Sequence, residues 1–345
     1  MNDVMMRAMV LPHSGDVGTS PLILREVVRP DPGPGQVRVR IHVCGVCRTD
    51  IHVVEGELPH VKPDVIPGHE VVGVVERVGR DVQDLREGDR VGIAWLQDTC
   101  GRCEFCASGR ENLCVRATFT GYQVDGGYAD YAVAASRYVY PVPSSLTDEE
   151  AAPLLCAGII GYRALRLSGI KPGQRLGLYG FGASAHIAIQ IAHHWGCSVY
   201  VCSLTREHQA LARELGAAWV GGALDTPPDK LQGAIIFAPA GEIVPVALRA
   251  LERGGTLALA GIHMTPIPSL DYDREIFGER VIRSVTANTR QDAWDLLREA
   301  AAIPVRTHTR RFSLSDANSA LQALKRGAIR GAGVLTMEGG PRREE

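Results

Sequence analysis

The sequence is poor in the features that mark several protein classes. Aromatic residues make up only 6% of its 345 residues, and its longest apolar run, "AAPLLCAGIIGY", falls short of a membrane span. The opening "MNDVMMRAMVLPHSGD" has no basic segment followed by a sustained apolar stretch, so no export signal is expected, no membrane partner, and a cytoplasmic location. Charge is balanced, at a formal net of -2, which gives no electrostatic footprint for nucleic acid or an anionic surface. The partner to expect is a small molecule.

What is present is ordinary in bulk and unusual in detail. Hydrophobic residues at 45% and charged residues at 22% describe a globular protein, and the length favours two domains over one. Nine cysteines is an odd number. In a reducing compartment, closely spaced thiols hold metal more often than they form disulfides.

The first half reads as short β-rich runs between turns: "AMVL", "LILREVV", "VRVRIHVCG", "HEVVGVVERVG", "EGDRVGIAWL" and "GGYADYAVAA". "SSLTDEE" then signals a helix start, with Thr147 as N-cap and Glu150 three residues on. From about residue 174, strands and helices alternate: "RLGLYG", "ASAHIAIQIAHHWG", "SVYVCS", "REHQALARELG", "GAIIFAP", "EIVPVALRALERGG" and "TLALAGI". That order predicts a doubly wound parallel sheet. "RVIRSVT" is expected to close it, two helical segments follow, and the final "EGGPRREE" is expected to fray.

"WLQDTCGRCEFCASGRENLC" carries Cys100, Cys103, Cys106 and Cys114 in a C-x2-C-x2-C-x7-C pattern. A disulfide pair, an iron-sulfur cluster, a redox thiol pair and a closed structural zinc site all compete. Four thiolates converging from a turn-rich loop suit a tetrahedral zinc, which also orders a segment with little core of its own. A second, scattered set is "GVCRTDIH", "PGHEVVG" and "LLCAG", where Cys47, His69 and Cys156 could form an open Cys2His site. Taken singly, such a histidine is more often structural and such a cysteine a small core residue.

These segments in this order, with the cysteine lobe and a glycine-rich turn near residue 180, resemble the zinc-dependent alcohol dehydrogenases of the medium-chain dehydrogenase/reductase superfamily across nearly the whole chain. The resemblance implies a β-rich GroES-like catalytic domain over residues 1–157, a Rossmann coenzyme domain over 158–287, and a return to the first domain over 288–345. It assigns Cys47, His69 and Cys156 to a catalytic zinc, Glu70 to a carboxylate behind that metal, and Asp50 to a carboxylate orienting the histidine. Thr49 and His52 would relay the alcohol proton. Trp95 would line the substrate pocket, unless it simply packs beside the lobe; Cys44, Cys197 and Cys202 match no ligand position.

"RLGLYGFGASAHIAIQIA" fits a dinucleotide fingerprint with Gly180, Gly182 and Ala185 in its three small-residue positions. The resemblance adds Arg48 and Arg330 as pyrophosphate partners. Where an NAD enzyme carries an acid at the end of the second strand this chain has Ser203, followed by Thr205 and Arg206. A 2'-phosphate would find hydrogen bonds and a counter-charge there, so NADP(H) is expected over NAD(H). If Arg206 is merely a solvated first-turn residue, NAD(H) is accepted instead. The expected reaction is hydride transfer between a small alcohol, or its carbonyl, and the nicotinamide, with two Zn2+ per chain. A homo-oligomer is expected, a tetramer before a dimer. The rival readings are a polyol or amino-alcohol dehydrogenase and a non-catalytic relative that binds coenzyme or senses metal.

Overall fold

The computed structural model describes residues 4–337 except His60 and Pro304. The expected fraying of the last eight residues therefore lies outside the described residues. The chain divides into two compact units, one of residues 1–156, 288–301 and 307–345, the other of residues 157–287 and 302–306.

The first unit opens with a hairpin, β1 (Met5–Val10) paired antiparallel with β2 (Ile23–Val28). Strand β3 (Gln36–Val46) alternates apolar residues so that Val37, Val39, Ile41 and Val43 are all buried. It runs into helix α1 (Arg48–Val54) and pairs antiparallel with β4 (Glu70–Val78). Strand β5 (Arg90–Ile93) continues the sheet, and a short ribbon of β6 (Leu96–Asp98) and β7 (Thr118–Phe119) brackets the cysteine lobe, which holds the single-turn helix α2 (Glu104–Ala107). Strands β8 (Tyr131–Ala135) and β9 (Val139–Pro141) pair with β3 and β5. "GGYADYAVAA" is thus a strand only in its second half. Its first half bonds elsewhere, with Gly126 N donating to Ile66 O and Tyr128 N to Pro67 O.

Helix α3 (Asp148–Ala151) begins with the expected reciprocal cap: Thr147 Oγ1 accepts from Glu150 N at 3.3 Å, and Glu150 Oε2 accepts from Thr147 N at 2.9 Å. Asp148 fastens this helix to the sheet, accepting from Arg90 Nε at 2.6 Å and lying 2.8 Å from His42 Nδ1. Burial alone would raise the Asp148 carboxyl, but the His42 and Arg90 hydrogen bonds outweigh it and hold the group below the usual carboxylate range.

The second unit starts with α4 (Ala157–Leu167) and then alternates β10 (Arg175–Tyr179), α5 (Ala183–His194), β11 (Ser198–Cys202), α6 (Arg206–Glu214), β12 (Trp219–Gly221), β13 (Leu231–Ile236), α7 (Ile243–Ala250), β14 (Leu251–Leu259) and β15 (Val281–Ser284). All six strands are parallel, in the order β12-β11-β10-β13-β14-β15, the doubly wound arrangement. The helix expected over "EIVPVALRALERGG" stops at Ala250, because Leu251 already pairs with Leu231 and the ladder then shifts register before Gly233.

The chain returns through α8 (Arg290–Ala302), β16 (Thr309–Ser313), α9 (Ala317–Lys325) and β17 (Ala332–Thr336). Strand β17 pairs with β3, which gives the first unit a seven-stranded sheet in the order β16-β17-β3-β4-β5-β9 with β8 also on β3.

Candidate metal centre and coenzyme turn

The β3–β4 ladder explains how residues 22 apart in sequence meet. Gly45 sits opposite Glu70, so Cys47, just past the end of β3, comes close to His69, just before β4. Gly45 is needed there: a Cβ would lie 1.8 Å from Glu70 Oε2. Cys156 arrives from a third segment, after the short 3-10 turn Ala152–Leu155. Ligand atoms of Cys47, His69, Glu70 and Cys156 all lie within 4.8 Å of one another, and the two sulfurs are 3.6 Å apart.

Asp50 organises this cluster. Its Oδ2 accepts from Cys47 N at 2.8 Å, which caps α1, and its Oδ1 lies 2.9 Å from His69 Nδ1. Both side chains are fully buried. With Nδ1 engaged, Nε2 is the remaining ring nitrogen, and it is buried without a hydrogen-bond partner. An orphaned imidazole nitrogen beside two sulfurs costs stability unless something electrophilic takes it, and Cys2His with an adjacent carboxylate suits Zn2+.

The electrostatics agree. The hydrogen bond shared with Cys156 holds the Cys47 thiol well below its ordinary value, and the same contact pushes Cys156 well up. Burial disfavours charge on His69, but the Asp50 carboxylate and the Cys47 sulfur outweigh it and raise the imidazole well above its ordinary value. Such a cluster is arranged around positive charge.

Thr49 is buried, with Oγ1 3.7 Å from Cys47 Sγ. His52 lies one turn further along α1, and its Nδ1 pairs with the carboxylate of Glu57. Trp95 meets the His69 ring edge-on at 4.9 Å and stacks on Phe119 at 5.0 Å and Tyr122 at 5.8 Å, forming an aromatic wall beside the cluster. Cys44, Cys197 and Cys202 are buried thiols outside either cluster.

The ligand atoms of Cys100, Cys103, Cys106 and Cys114 also lie within 4.8 Å of one another, with 3.5 Å between the sulfurs of Cys103 and Cys106. Backbone N–H groups of Arg102 and Cys103 bring Cys100 down to about 6. Arg116 N donates to Cys114 Sγ at 3.4 Å. At Cys103 a backbone hydrogen bond from Cys106 is outweighed by burial and by hydrogen bonds to the neighbouring sulfurs, which push the thiol up to about 11, so backbone donation favours the metal-binding thiolate at Cys100. Every described cysteine is free of disulfides.

In the second unit, Gly180 turns the chain at φ +85, where a Cβ would strike Ala238 N at 2.9 Å. Gly182 N-caps α5, and a Cβ there would meet only open space, so room is left at the helix start for a ligand to approach the backbone. Ala185 is fully buried, as helix-to-sheet packing requires. Ser203 is buried at the end of β11, and Thr205 Oγ1 caps α6 by accepting from His208 N at 3.3 Å, leaving its hydroxyl proton as a donor. Arg206 is exposed at the first residue of α6. In the first unit Arg48 is exposed at the start of α1, and Arg330 is exposed in the turn before β17.

Three contacts around the cluster escaped sequence reasoning: Tyr128 on Asp50, Glu57 on His52, and the clearance Gly45 gives Glu70. Glu57 lies close enough in sequence to His52 to have been considered. The other two join distant segments: the register of β3 on β4 reveals the Gly45–Glu70 approach, and only the three-dimensional fold reveals the Tyr128–Asp50 bond.

Known proteins agree with this architecture. The alcohol dehydrogenase GroES-like domain matches residues 33–144, and the zinc-binding dehydrogenase domain matches 185–302. The "Probable alcohol dehydrogenase AdhA" of Mycobacterium tuberculosis is 48% identical over 335 residues, 96% of this chain and 97% of its own. An alcohol dehydrogenase of Geobacillus stearothermophilus is 40% identical over 328 residues, 92% of this chain and 97% of its own. A cinnamyl alcohol dehydrogenase of Sorghum bicolor superposes with a TM-score of 0.88 at 28% identity, covering 99% of this chain and 100% of that one. No helix among the described residues is long and apolar enough to cross a membrane. With its orphaned imidazole, paired sulfurs and open helix start, the chain belongs to the zinc-type alcohol dehydrogenases of the medium-chain dehydrogenase/reductase superfamily, oxidoreductases that use zinc and a nicotinamide coenzyme.

Proposed function

We propose that the enzyme interconverts a primary or small secondary alcohol and its carbonyl, holding one zinc at Cys47, His69 and Cys156 and a second, structural zinc at Cys100, Cys103, Cys106 and Cys114. The observation that carries this reading is the meeting of two sulfurs and one unpartnered imidazole nitrogen from three distant segments. Bound zinc supplies a Lewis acid that eases loss of the alcohol proton, and bound nicotinamide exchanges the hydride.

The chain's own residues do the rest. Cys47 and Cys156 neutralise the divalent charge, while Asp50 holds His69 in the tautomer that offers Nε2. Thr49 Oγ1 accepts the substrate proton while donating its own onward, and His52 exchanges the relayed proton with water. Glu57 occupies His52 Nδ1, so Nε2 is the exchanging nitrogen. Trp95 and its stacked neighbours exclude water from the apolar side of the substrate.

NADP(H) is the preferred coenzyme in this reading. Its support is the missing carboxylate at Ser203 and the exposed Arg206 guanidinium just after it. Arg48 and Arg330 are assigned to the pyrophosphate, Glu70 to transient support of the metal. The protein would work in the cytoplasm as a homo-oligomer, tetramer or dimer, which native mass spectrometry checks.

The test is zinc content together with coenzyme absorbance on a panel of alcohols, polyols, amino alcohols and aldehydes with each coenzyme. Turnover of simple alcohols with two zincs bound and higher kcat/KM for NADP(H) is expected. No turnover with both zincs present would favour a binding protein, and a clear preference for NAD(H) would remove the 2'-phosphate assignment. Thr49→Val should lose most turnover while keeping zinc; undiminished turnover removes the relay.

A further inference from the structure

Asp50 is fully buried, and three separate segments supply its hydrogen-bond donors: Cys47 N and the Tyr128 hydroxyl reach Oδ2 at 2.8 and 2.9 Å, and His69 Nδ1 reaches Oδ1 at 2.9 Å. Tyr128 is itself fully buried and stands 78 residues from Asp50 in sequence. Its backbone is fixed from both sides. Gly126 N and Tyr128 N donate to Ile66 O and Pro67 O, Gly127 N donates to Gly68 O, and Tyr128 O accepts from Met9 N. Gly68, at φ +94, leaves the ring its space, since a Cβ would lie 2.3 Å from Tyr128 Cδ1. The backbone that presents His69 and the side chain that grips Asp50 are therefore one clasp.

We propose that Tyr128 is a positioning residue of the metal site, whose hydroxyl locks the Asp50 carboxylate so that Oδ1 serves His69 alone and His69 Nε2 stays directed at the Cys47–Cys156 pair. The terminal torsion of an aspartate is soft, so two fixed donors on Oδ2 determine where Oδ1 points. Cys47 N is a helix-cap donor and stays wherever α1 forms. The phenol is the donor that ties the carboxylate to a distant segment of the chain. Loss of an outer partner of a metal-binding histidine typically weakens metal binding about 10–100-fold.

This proposal rests on reading Cys47, His69 and Cys156 as a metal site, and the experiment separates the two. The full-length enzyme is loaded with cobalt(II), its visible ligand-field bands are recorded, and the metal is titrated away with a chelator; the four-cysteine lobe serves as internal reference. In Tyr128→Phe, which keeps the ring, half-removal from the Cys2His site is expected at about tenfold less chelator, with its bands shifted and the lobe unchanged. Unchanged bands and unchanged chelator midpoint overturn the proposal, as does a lowered melting temperature of the metal-free protein with cobalt affinity intact, which would make Tyr128 a packing residue only. If Tyr128→Phe does not fold, 3,5-difluorotyrosine at the same position keeps the shape and strengthens the donor; shifted bands support the proposal and unshifted bands overturn it. Wild-type protein that takes up cobalt at the lobe alone would overturn the metal-site reading itself, and this proposal with it.

Discussion

The two clusters of metal-type ligands in the first unit are built in opposite ways. The lobe gathers four sulfurs within fifteen residues of chain, on a single-turn helix and a 3-10 turn, with Cys100, Cys103 and Cys106 only partly buried. The other cluster gathers its donors across 110 residues of chain, from the end of β3, the start of β4 and the turn after α3, with His69 and Asp50 fully buried. A local cluster depends on its metal for order; an assembled one is ordered by the sheet before any metal arrives. On the proposed reading the lobe is a stability device and the assembled cluster is the place where reactivity is tuned.

The sharpest way to break that comparison is to remove one donor from each. His69→Ala should lower turnover by at least about three orders of magnitude, since several kcal/mol of electrophilic stabilisation are lost at about 1.4 kcal/mol per tenfold. One zinc should be lost, by metal analysis, and turnover is read per folded molecule, because the buried Asp50 carboxylate loses a donor and the melting temperature falls too. Retained turnover would mean that the reaction does not run at this cluster. Cys103→Ser should separate the two effects. Losing a structural metal that supplies several kcal/mol of folding energy should lower the melting temperature by roughly 10 °C, while turnover per folded molecule, from active-site titration, stays within a few-fold. A change in kcat as large as that of His69→Ala would erase the distinction.

The coenzyme turn is a third, intermediate case: a local motif whose proposed selectivity rests on one exposed side chain. Arg206→Ala should reduce kcat/KM for NADP(H) by about tenfold and leave NAD(H) nearly unchanged, because a charge-assisted hydrogen bond is worth roughly 1.5–3 kcal/mol before solvent screening. Steady-state kinetics with both coenzymes measure it, and equal losses would assign Arg206 to something other than the 2'-phosphate.

The same contrast explains what the sequence made legible. That the four thiols of the lobe and the residues of the glycine turn each form a unit could be read from their fixed short spacings; the choice of zinc among four competing thiol chemistries could not. The period-two runs likewise announced β3 and β4, and the alternation of strand and helix announced the parallel sheet. Cys47, His69 and Cys156 could be grouped by ligand type, but only the resemblance assigned them to one site, since nothing local says that β3 and β4 pair with Gly45 opposite Glu70. The Tyr128–Asp50 bond was out of reach for the same reason: its donor sits in an irregular segment that the alternation of "GGYADYAVAA" suggested was strand. Where α7 gives way to β14, propensity favoured a longer helix and the sheet prevailed, because Leu251 gains a pairing partner in Leu231.

The smallest expected effect probes how far the assembled cluster leans on a local signal. Cys156 follows α3 by only a few residues, and α3 is started by the Thr147–Glu150 cap and anchored by Asp148 on His42 and Arg90. Thr147→Ala removes one half of the cap and should cost about 1 kcal/mol, a fall of a few degrees in melting temperature. Because Asp148 and the 3-10 turn before Cys156 remain, turnover and zinc content should not change. A loss of zinc out of proportion to that small destabilisation would show that the third ligand is held by its neighbouring helix start rather than by the sheet, and the assembled cluster would then share the weakness of the lobe.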